Sequence, residues 1–204
     1  MMTNVLIVAF GYVAGSIPFA FLIARWTGRV DLREVGSRNV GATNVFRVAG
    51  LSAAATAAVF DIAKGAAVVA LAKWIGASSG VCASAGAAAI GGHIYPVWLK
   101  FKGGKGVATT CGVFAVMAPW ATLLAFLVFL AAARWSRTVS VGSMSAAICL
   151  GPLAYATGAA RTTVQAAFFA GCLVLFMHWR NLLRLAGGAE YRLGTDSHEG
   201  EDAS

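Results

Sequence analysis

Val107-Ala-Thr-Thr-Cys-Gly-Val-Phe-Ala-Val-Met117-Ala118-Pro119-Trp120-Ala-Thr-Leu-Leu-Ala-Phe-Leu-Val-Phe-Leu-Ala-Ala-Ala133 can be read as one helix or as two. Proline lacks the N–H that a helix interior needs, and its ring clashes with the preceding turn, so Pro119 marks a break. As one helix, the stretch makes the chain a six-span membrane protein; as two helices meeting at Pro119, it makes seven spans. Charge decides between them. With seven, one side collects Arg25, Arg29, Arg33, Arg38, Arg47, Lys100, Lys102, Lys105, Arg134, Arg137, Arg180, Arg184 and Arg192. Of the 16 basic residues only Lys64, Lys73 and Arg161 then lie elsewhere. With six spans, Arg134, Arg137 and the tail arginines move to the opposite side. The bias of Lys and Arg toward cytoplasmic loops therefore predicts an all-α, polytopic protein of seven transmembrane helices, with the N-terminus periplasmic and the C-terminus cytoplasmic. Both halves around Pro119 are short for a full crossing, which calls for local bilayer thinning or a tilted pair.

Composition supports a membrane chain. Apolar residues make up 59% and charged residues 12% of the 204, and the mean hydropathy is +0.75, far from a soluble domain. The net charge of +8 is not a nucleic-acid signal here, because the basic residues lie between apolar spans and not along one polar face. The four cysteines, Cys82, Cys111, Cys149 and Cys172, sit inside apolar runs without C-x-x-C spacing and read as reduced packing residues. The first apolar run leads into Gly15-Ser16-Ile17-Pro18 and reads as a first transmembrane helix, not a cleavable signal peptide.

In chain order, residues 4–24 form a span that Pro18 kinks near its end, and residues 25–50 form a polar loop. Spans at 51–75 and 79–98 are joined by Gly76-Ala77-Ser78, and further spans cover 141–157 and 162–179. Residues 1–195 make one membrane domain. Residues 196–204, with Asp196, Glu199, Glu201 and Asp202, form an acidic tail expected to be disordered.

Three polar clusters share the predicted cytoplasmic side. The most distinctive is Gly91-Gly92-His93, Pro96 and Lys100-Phe101-Lys102-Gly103-Gly104-Lys105-Gly106. Gly103, Gly104 and Gly106 free the backbone for positive φ and close approach, successive N–H groups can form an anion nest, and a helix starting near Val107 aims its positive end at the same place. Gly106 follows Lys105 where a Walker A loop needs Ser or Thr, so a nucleotide triphosphatase is excluded. The blander reading is a basic loop on lipid headgroups. The second cluster, Gly36-Ser37-Arg38-Asn39-Val40-Gly41-Ala42-Thr43-Asn44-Val45-Phe46-Arg47, alternates small residues with hydroxyl, amide and guanidinium groups, and Arg47 suits bidentate phosphate recognition. In the third, His178 and Asn181 share a face at the end of the last span. Asp61 and Lys64, inside the second span and three apart, read as a structural ion pair.

These motifs, in this order, resemble those of the integral-membrane acyl-phosphate:glycerol-3-phosphate acyltransferases (PlsY-type) over nearly the whole chain. The match rests on Gly15-Ser16-Ile17-Pro18, Gly36-Ser37 through Gly41-Ala42-Thr43-Asn44 to Arg47, Gly91-Gly92-His93 with Pro96, Phe101-Lys102-Gly103-Gly104-Lys105-Gly106, and His178, Asn181, Arg184, Gly188 and Glu190. The resemblance implies a seven-helix fold in the bacterial inner membrane with its active site facing the cytoplasm. It implies transfer of a fatty acyl group from acyl phosphate to the 1-hydroxyl of glycerol 3-phosphate, giving lysophosphatidic acid for phospholipid synthesis. Carried over, Ser37, Arg47, Lys105, His178 and Asn181 are the essential polar residues, and Glu190 is a tail carboxylate that holds the site together. Asn39, Asn44, His93, Gly103, Gly104 and Gly106 are expected on substrate phosphates. The implied partners are the two substrates, membrane lipid and a soluble acyl-phosphate synthase that supplies the donor; no cofactor, metal or nucleic acid is implied.

The residue types fit that chemistry. Acyl phosphate is a mixed anhydride with a good leaving group, so the protein has only to bring two phosphate-bearing molecules together and offset their repulsion. The proton acceptor for the glycerol hydroxyl is either His178 or a substrate phosphate oxygen. The H-x-x-x-x-D acyltransferase motif is absent, since Trp98 follows His93 and Leu183 follows His178 at the fifth position. The alternative of another class is an anion or phosphate transporter, which would carry its polar groups near the midplane on paired broken helices.

Overall fold

The computed structural model describes residues 1–193, and among these every regular element is helical. The acidic tail at 196–204 lies outside the described residues. Helices α1 (Met2–Gly15) and α2 (Phe19–Thr27) are two pieces of one apolar run, separated where Pro18 cannot continue the ladder. Helix α3 (Ala42–Trp74) is broken at Gly50, whose φ of 79° only glycine adopts without strain. Helix α4 (Ser79–Ile94) starts on Ser78, whose Oγ accepts from the Val81 N–H. It stops at Ile94, two residues before Pro96 and short of the predicted end at Trp98, and a 3₁₀ turn, Val97–Leu99, follows.

Pro119 does break its stretch. Helix α5 (Val107–Met117) and helix α6 (Pro119–Ser136) are separate, with Pro119 in the first turn of α6, where its missing N–H costs nothing. Helices α7 (Val139–Ala156), α8 (Arg161–Met177) and α9 (Trp179–Ala186) complete the fold, with α9 bent 52° from α8 at His178. The predicted loop at 25–50 is shorter than expected, because α2 runs on to Thr27 and the Ala42–Ala49 stretch is already helical. Its polar groups hid that turn: Thr43 and Arg47 line the site and Asn44 is bonded to residues 32–37, so the usual apolar periodicity does not apply.

Among the described residues, four helical runs are long and apolar enough to cross a membrane, or five if the bent α8–α9 pair is one. Helices α4, of 16 residues, and α5, of 11, fall below the about 20 that a full crossing takes.

The bundle is packed with small residues inside and large apolar ones outside. Ala57, Ala72, Ala85, Ala89, Ala121 and Ala167 are fully buried, while Leu6, Leu51, Leu127, Phe169 and Trp120 face outward. In lipid, large apolar side chains gain little by turning inward, so close backbone approach through small residues carries helix association. A Cβ on Gly15 would lie 2.1 Å from Ala89 O, joining α1 to α4, and one on Gly112 would lie 1.9 Å from Ile62 O, joining α5 to α3. Gly171 meets Ala147 O in the same way between α8 and α7. Gly112→Ala should therefore cost about 1–3 kcal/mol of stability, whereas Gly80→Ala, with nothing within 4 Å of the new Cβ, should cost nothing measurable; thermal unfolding in detergent, followed by monodispersity, distinguishes the two.

Candidate active site

Contacts between distant segments bring residues 28–41, 95–106, 137–140 and 178–193 to one end of the bundle. They frame a cavity of about 310 Å³, within the range of small-molecule sites. Part of its lining is polar, with Ser37, Asn39, Arg47, Lys105, His178 and Asn181, and part is apolar, with Ala125, Phe126, Phe129, Ala146, Ala147 and Leu150 of α6 and α7.

The glycine-lysine turn is built differently from the predicted nest. The Gly103 N–H donates to Ile94 O (3.1 Å) and the Gly104 N–H to His93 O (3.1 Å), so the chain doubles back along the end of α4. Neither amide is left for an anion. Both glycines are needed for close approach instead: a Cβ on Gly103 would meet His93 O at 2.2 Å, and one on Gly104 would meet His93 Nε2 at 2.3 Å and Val40 O at 2.5 Å. Gly106, at φ 83°, is the residue before α5, and no side chain caps that helix. The turn thus delivers Lys105 and the uncapped start of α5 to the cavity, while Lys100 and Lys102 stay exposed.

The turn rests on a buried cluster. Lys64 Nζ donates to Ile17 O at 2.8 Å and to His93 Nδ1 at 3.0 Å, and lies 2.8 Å from Asp61 Oδ1 as an ion pair. Asp61 is 1% and Lys64 7% exposed, so the two buried charges meet as an ion pair, while Asp61 Oδ1 accepts no well-aligned hydrogen bond. It joins α3 to the α1–α2 break and to α4. His93 lines the cavity, but its Nδ1 is engaged with Lys64.

Asn44 is a second revision. It does not line the cavity; its Oδ1 accepts from the Ser37 N–H (3.0 Å), and its Nδ2 donates to Leu32 O and Val35 O (both 3.1 Å). Fully buried, it folds residues 32–37 onto the first turn of α3 and so brings Ser37 and Asn39 to the cavity wall.

The third cluster is tied down by Glu190. After α9 the chain turns back, and the Leu193 N–H donates to Arg137 O (2.7 Å). Glu190 Oε1 accepts from Asn181 Nδ2 (2.6 Å) and Ser140 Oγ (2.9 Å), and its Oε2 accepts from Arg184 Nε (2.7 Å). Burial works against its charge, but the hydrogen bonds from Arg184, Asn181 and Ser140 outweigh it and hold the carboxyl below the ordinary range. With its amide so oriented, Asn181 presents Oδ1 to Lys105 Nζ. Lys105 is pushed down to about 8, first by burial and then by the Arg184 and Arg47 charges, with Glu190 opposing. Arg47 stacks on Tyr191, its guanidinium carbon 4.1 Å from the ring centre, and no carboxylate pairs with it among the described residues. His178 Nδ1 lies 2.7 Å from Val174 O. A carbonyl only accepts, so Nδ1 carries the proton and Nε2 keeps its lone pair.

Ser37, Arg47, Lys105, His178 and Asn181 all line one cavity. Sequence reasoning did not assign Ser140, Ser143, Thr110 or Tyr191. Tyr191 and Ser140 belong to a returning strap and a helix start with no motif of their own.

The family model for glycerol-3-phosphate acyltransferase matches residues 5–188. The chain belongs to that family. It is 46% identical to the glycerol-3-phosphate acyltransferase of Myxococcus xanthus, over 94% of this chain and all of that one, and 43% identical to that of a Synechococcus strain, over 95% and 97%. Two crystal structures of PlsY, an integral membrane glycerol 3-phosphate acyltransferase, superpose closely. The glycerol 3-phosphate form has a TM-score of 0.90 at 40% identity, covering 95% of this chain and 96% of that one. The lysophosphatidic acid form has a TM-score of 0.87 at 37% identity with the same coverage. The acyltransferase reading of the sequence holds, the protein is an integral membrane enzyme, and the transporter reading is not favoured.

For this acyltransferase, Glu190→Gln should keep an acceptor for Ser140 and Asn181 but remove the charge that faces Arg184. Activity should fall about tenfold or more, at the scale of a lost buried charge pair, while Glu34→Gln, exposed and outside the cavity, should be neutral; steady-state assay of the purified, monodisperse variants reads both.

Proposed function

We propose that the protein transfers a fatty acyl group from acyl phosphate to the 1-hydroxyl of glycerol 3-phosphate at this cavity, releasing lysophosphatidic acid and phosphate. The observation that carries this is a cavity with Arg47, Lys105 and Arg184 at one end and an apolar wall of α6 and α7 at the other. Two phosphates and one alkyl chain need those two ends. That relatives are glycerol-3-phosphate acyltransferases, and that the solved PlsY structures are a glycerol 3-phosphate form and a lysophosphatidic acid form, supports the acceptor and product. The absent H-x-x-x-x-D motif supports a donor activated by its own leaving group.

In this mechanism the positive end of the site overcomes the repulsion between substrates and holds them in line. Arg47 offers a planar fork to one phosphate, while Lys105 and the start of α5 offer a charge and free N–H groups. His178 Nε2 accepts a hydrogen bond from the glycerol or takes its proton, and a substrate phosphate oxygen is the other acceptor. Ser37 and Asn39 complete the phosphate contacts, and Asn181 positions Lys105.

The first test supplies purified protein with labelled glycerol 3-phosphate and either acyl phosphate or acyl-CoA. Turnover is expected with acyl phosphate alone; equal turnover with acyl-CoA, free of contaminating acyl phosphate, would sink the donor assignment. In the same assay Lys105→Ala or Arg47→Ala should lower activity about a hundredfold. Lys105 is charged below about pH 8 and neutral above it. The kcat/KM for glycerol 3-phosphate should therefore fall as pH rises through about 8, and Lys105→Arg should move that limb to higher pH.

We also propose the seven-span topology with this end of the bundle in the cytoplasm, where the donor is soluble-enzyme-made and glycerol 3-phosphate is met. The return of residues 28–41, 95–106, 137–140 and 178–193 to one end supports it, as does the basic-residue count. A single cysteine at Ser136, in a background without cysteines, should react with impermeant reagents only in inverted vesicles; labelling from the periplasmic side would rule the topology out.

A further inference from the structure

Helices α6 and α7, which carry the apolar part of the cavity, form one hairpin, and a close contact fixes its register. A Cβ on Gly142 would lie 2.7 Å from Phe129 O and 2.9 Å from Ala133 Cβ. The two helices run antiparallel from the turn at Arg137, so a step forward along α7 is matched by a step back along α6. Leu150 then lies about 12 Å beyond Gly142, and Thr122 about 10 Å before Phe129, at one level of the bundle. No residue of α7 after Leu150 lines the cavity, and none of α6 before Thr122 does. Both walls end at that level.

The other end of α7 meets the charged groups. Ser140, in its first turn, donates to Glu190 Oε1 at 2.9 Å, and Glu190 Oε2 accepts from Arg184 Nε. From Ser140 to Leu150 the helix advances about 15 Å. The α7 side chains that line the cavity between these two are small, Ser143, Ala146 and Ala147. Leu150 is the first large one. It is 5% exposed and sits in one buried cluster with Phe114, Ala121 and Ala154, none of which lines the cavity. Behind Leu150 there is packed core, not space. A chain too long for such an end has to displace close-packed side chains, and one too short leaves apolar wall uncovered.

We infer that Leu150 is the residue on which the alkyl chain of the acyl donor ends, and that it sets the chain length the enzyme prefers. The inference rests on the acyl-transfer reading above, in which the phosphates meet Arg47, Lys105 and Arg184 and the chain takes the α6–α7 wall. Thr122 completes the floor without opposing an alkyl end, because its hydroxyl already donates to Ala118 O at 3.0 Å. In an apolar pocket one methylene too many or too few changes kcat/KM about tenfold or more. The position of this floor is therefore enough to separate donors that share every polar contact.

The test supplies glycerol 3-phosphate with lauroyl phosphate or stearoyl phosphate and reads the ratio of kcat/KM for the stearoyl over the lauroyl donor. A ratio taken within one variant cancels losses that strike both donors alike. Leu150→Ala deepens the floor and should raise the ratio about tenfold, whereas Ala147→Leu fills the space before it and should lower the ratio about tenfold. Val113→Ala removes bulk from the same buried cluster but away from the cavity, and should leave the ratio unchanged. An unchanged ratio in Leu150→Ala, a shift of both cavity variants in one direction, or an equal shift in Val113→Ala would overturn the inference. If Leu150→Ala does not elute as a folded species, Leu150→Val is read by the same ratio, with a smaller rise expected and no rise overturning it. Should the wild-type enzyme turn over acyl-CoA and not acyl phosphate, the donor reading fails, and the ratio is read between stearoyl-CoA and lauroyl-CoA by the same criteria.

Discussion

Cations crowd one end of this bundle. Arg47, Lys105 and Arg184 are drawn into a half-buried site where each raises the cost of the others' charge, and Lys105 holds its proton less tightly, first through burial and then through the Arg184 and Arg47 charges. Two phosphates would neutralise it, but the site has to exist before they arrive. Glu190 supplies the compensating charge. Its carboxylate is hydrogen-bonded to Arg184, Asn181 and Ser140, and through Asn181 it reaches Lys105. Removing it would leave buried positive charge uncompensated, which is costlier than never having built the pair. The strap from α9 back to the α6–α7 turn is therefore electrostatic glue as much as chain continuation.

That arrangement needs a rigid frame, and the frame comes from close helix contact. Gly15 on Ala89, Gly112 on Ile62 and Gly171 on Ala147 let backbones meet where any larger residue would clash. The Asp61–Lys64–His93 cluster then locks the α1–α2 break, α3 and α4 together at the point from which the glycine-lysine turn springs. Rigidity matters because catalysis by positioning is lost with small displacements of the reacting groups. Lys105 is held by a turn whose own amides are tied to α4, not by a flexible loop reaching for its ligand.

The cavity joins charged and polar groups to apolar residues of α6 and α7. In the proposed reaction that division would hold the phosphates against the charged groups and leave the apolar wall to a lipid chain.

Much of this was legible in the chain itself. The apolar runs, the break at Pro119 and the polar motifs whose Ser37, Arg47, Lys105, His178 and Asn181 line the cavity follow from local composition and spacing, because the bilayer and the helix impose strict local rules. What each polar group does was not legible in the same way. Asn44, Gly103 and Gly104 sit in the same motifs as the cavity-lining residues, yet their amides and N–H groups are engaged within the fold. Tyr191 under Arg47 and Ser140 on Glu190 join segments far apart in sequence. A motif limits which residue types can meet a phosphate, but a hydrogen-bonding group is free for a ligand only if no other segment has already claimed it. That is a question of distance across the fold, and only the tertiary structure decides it.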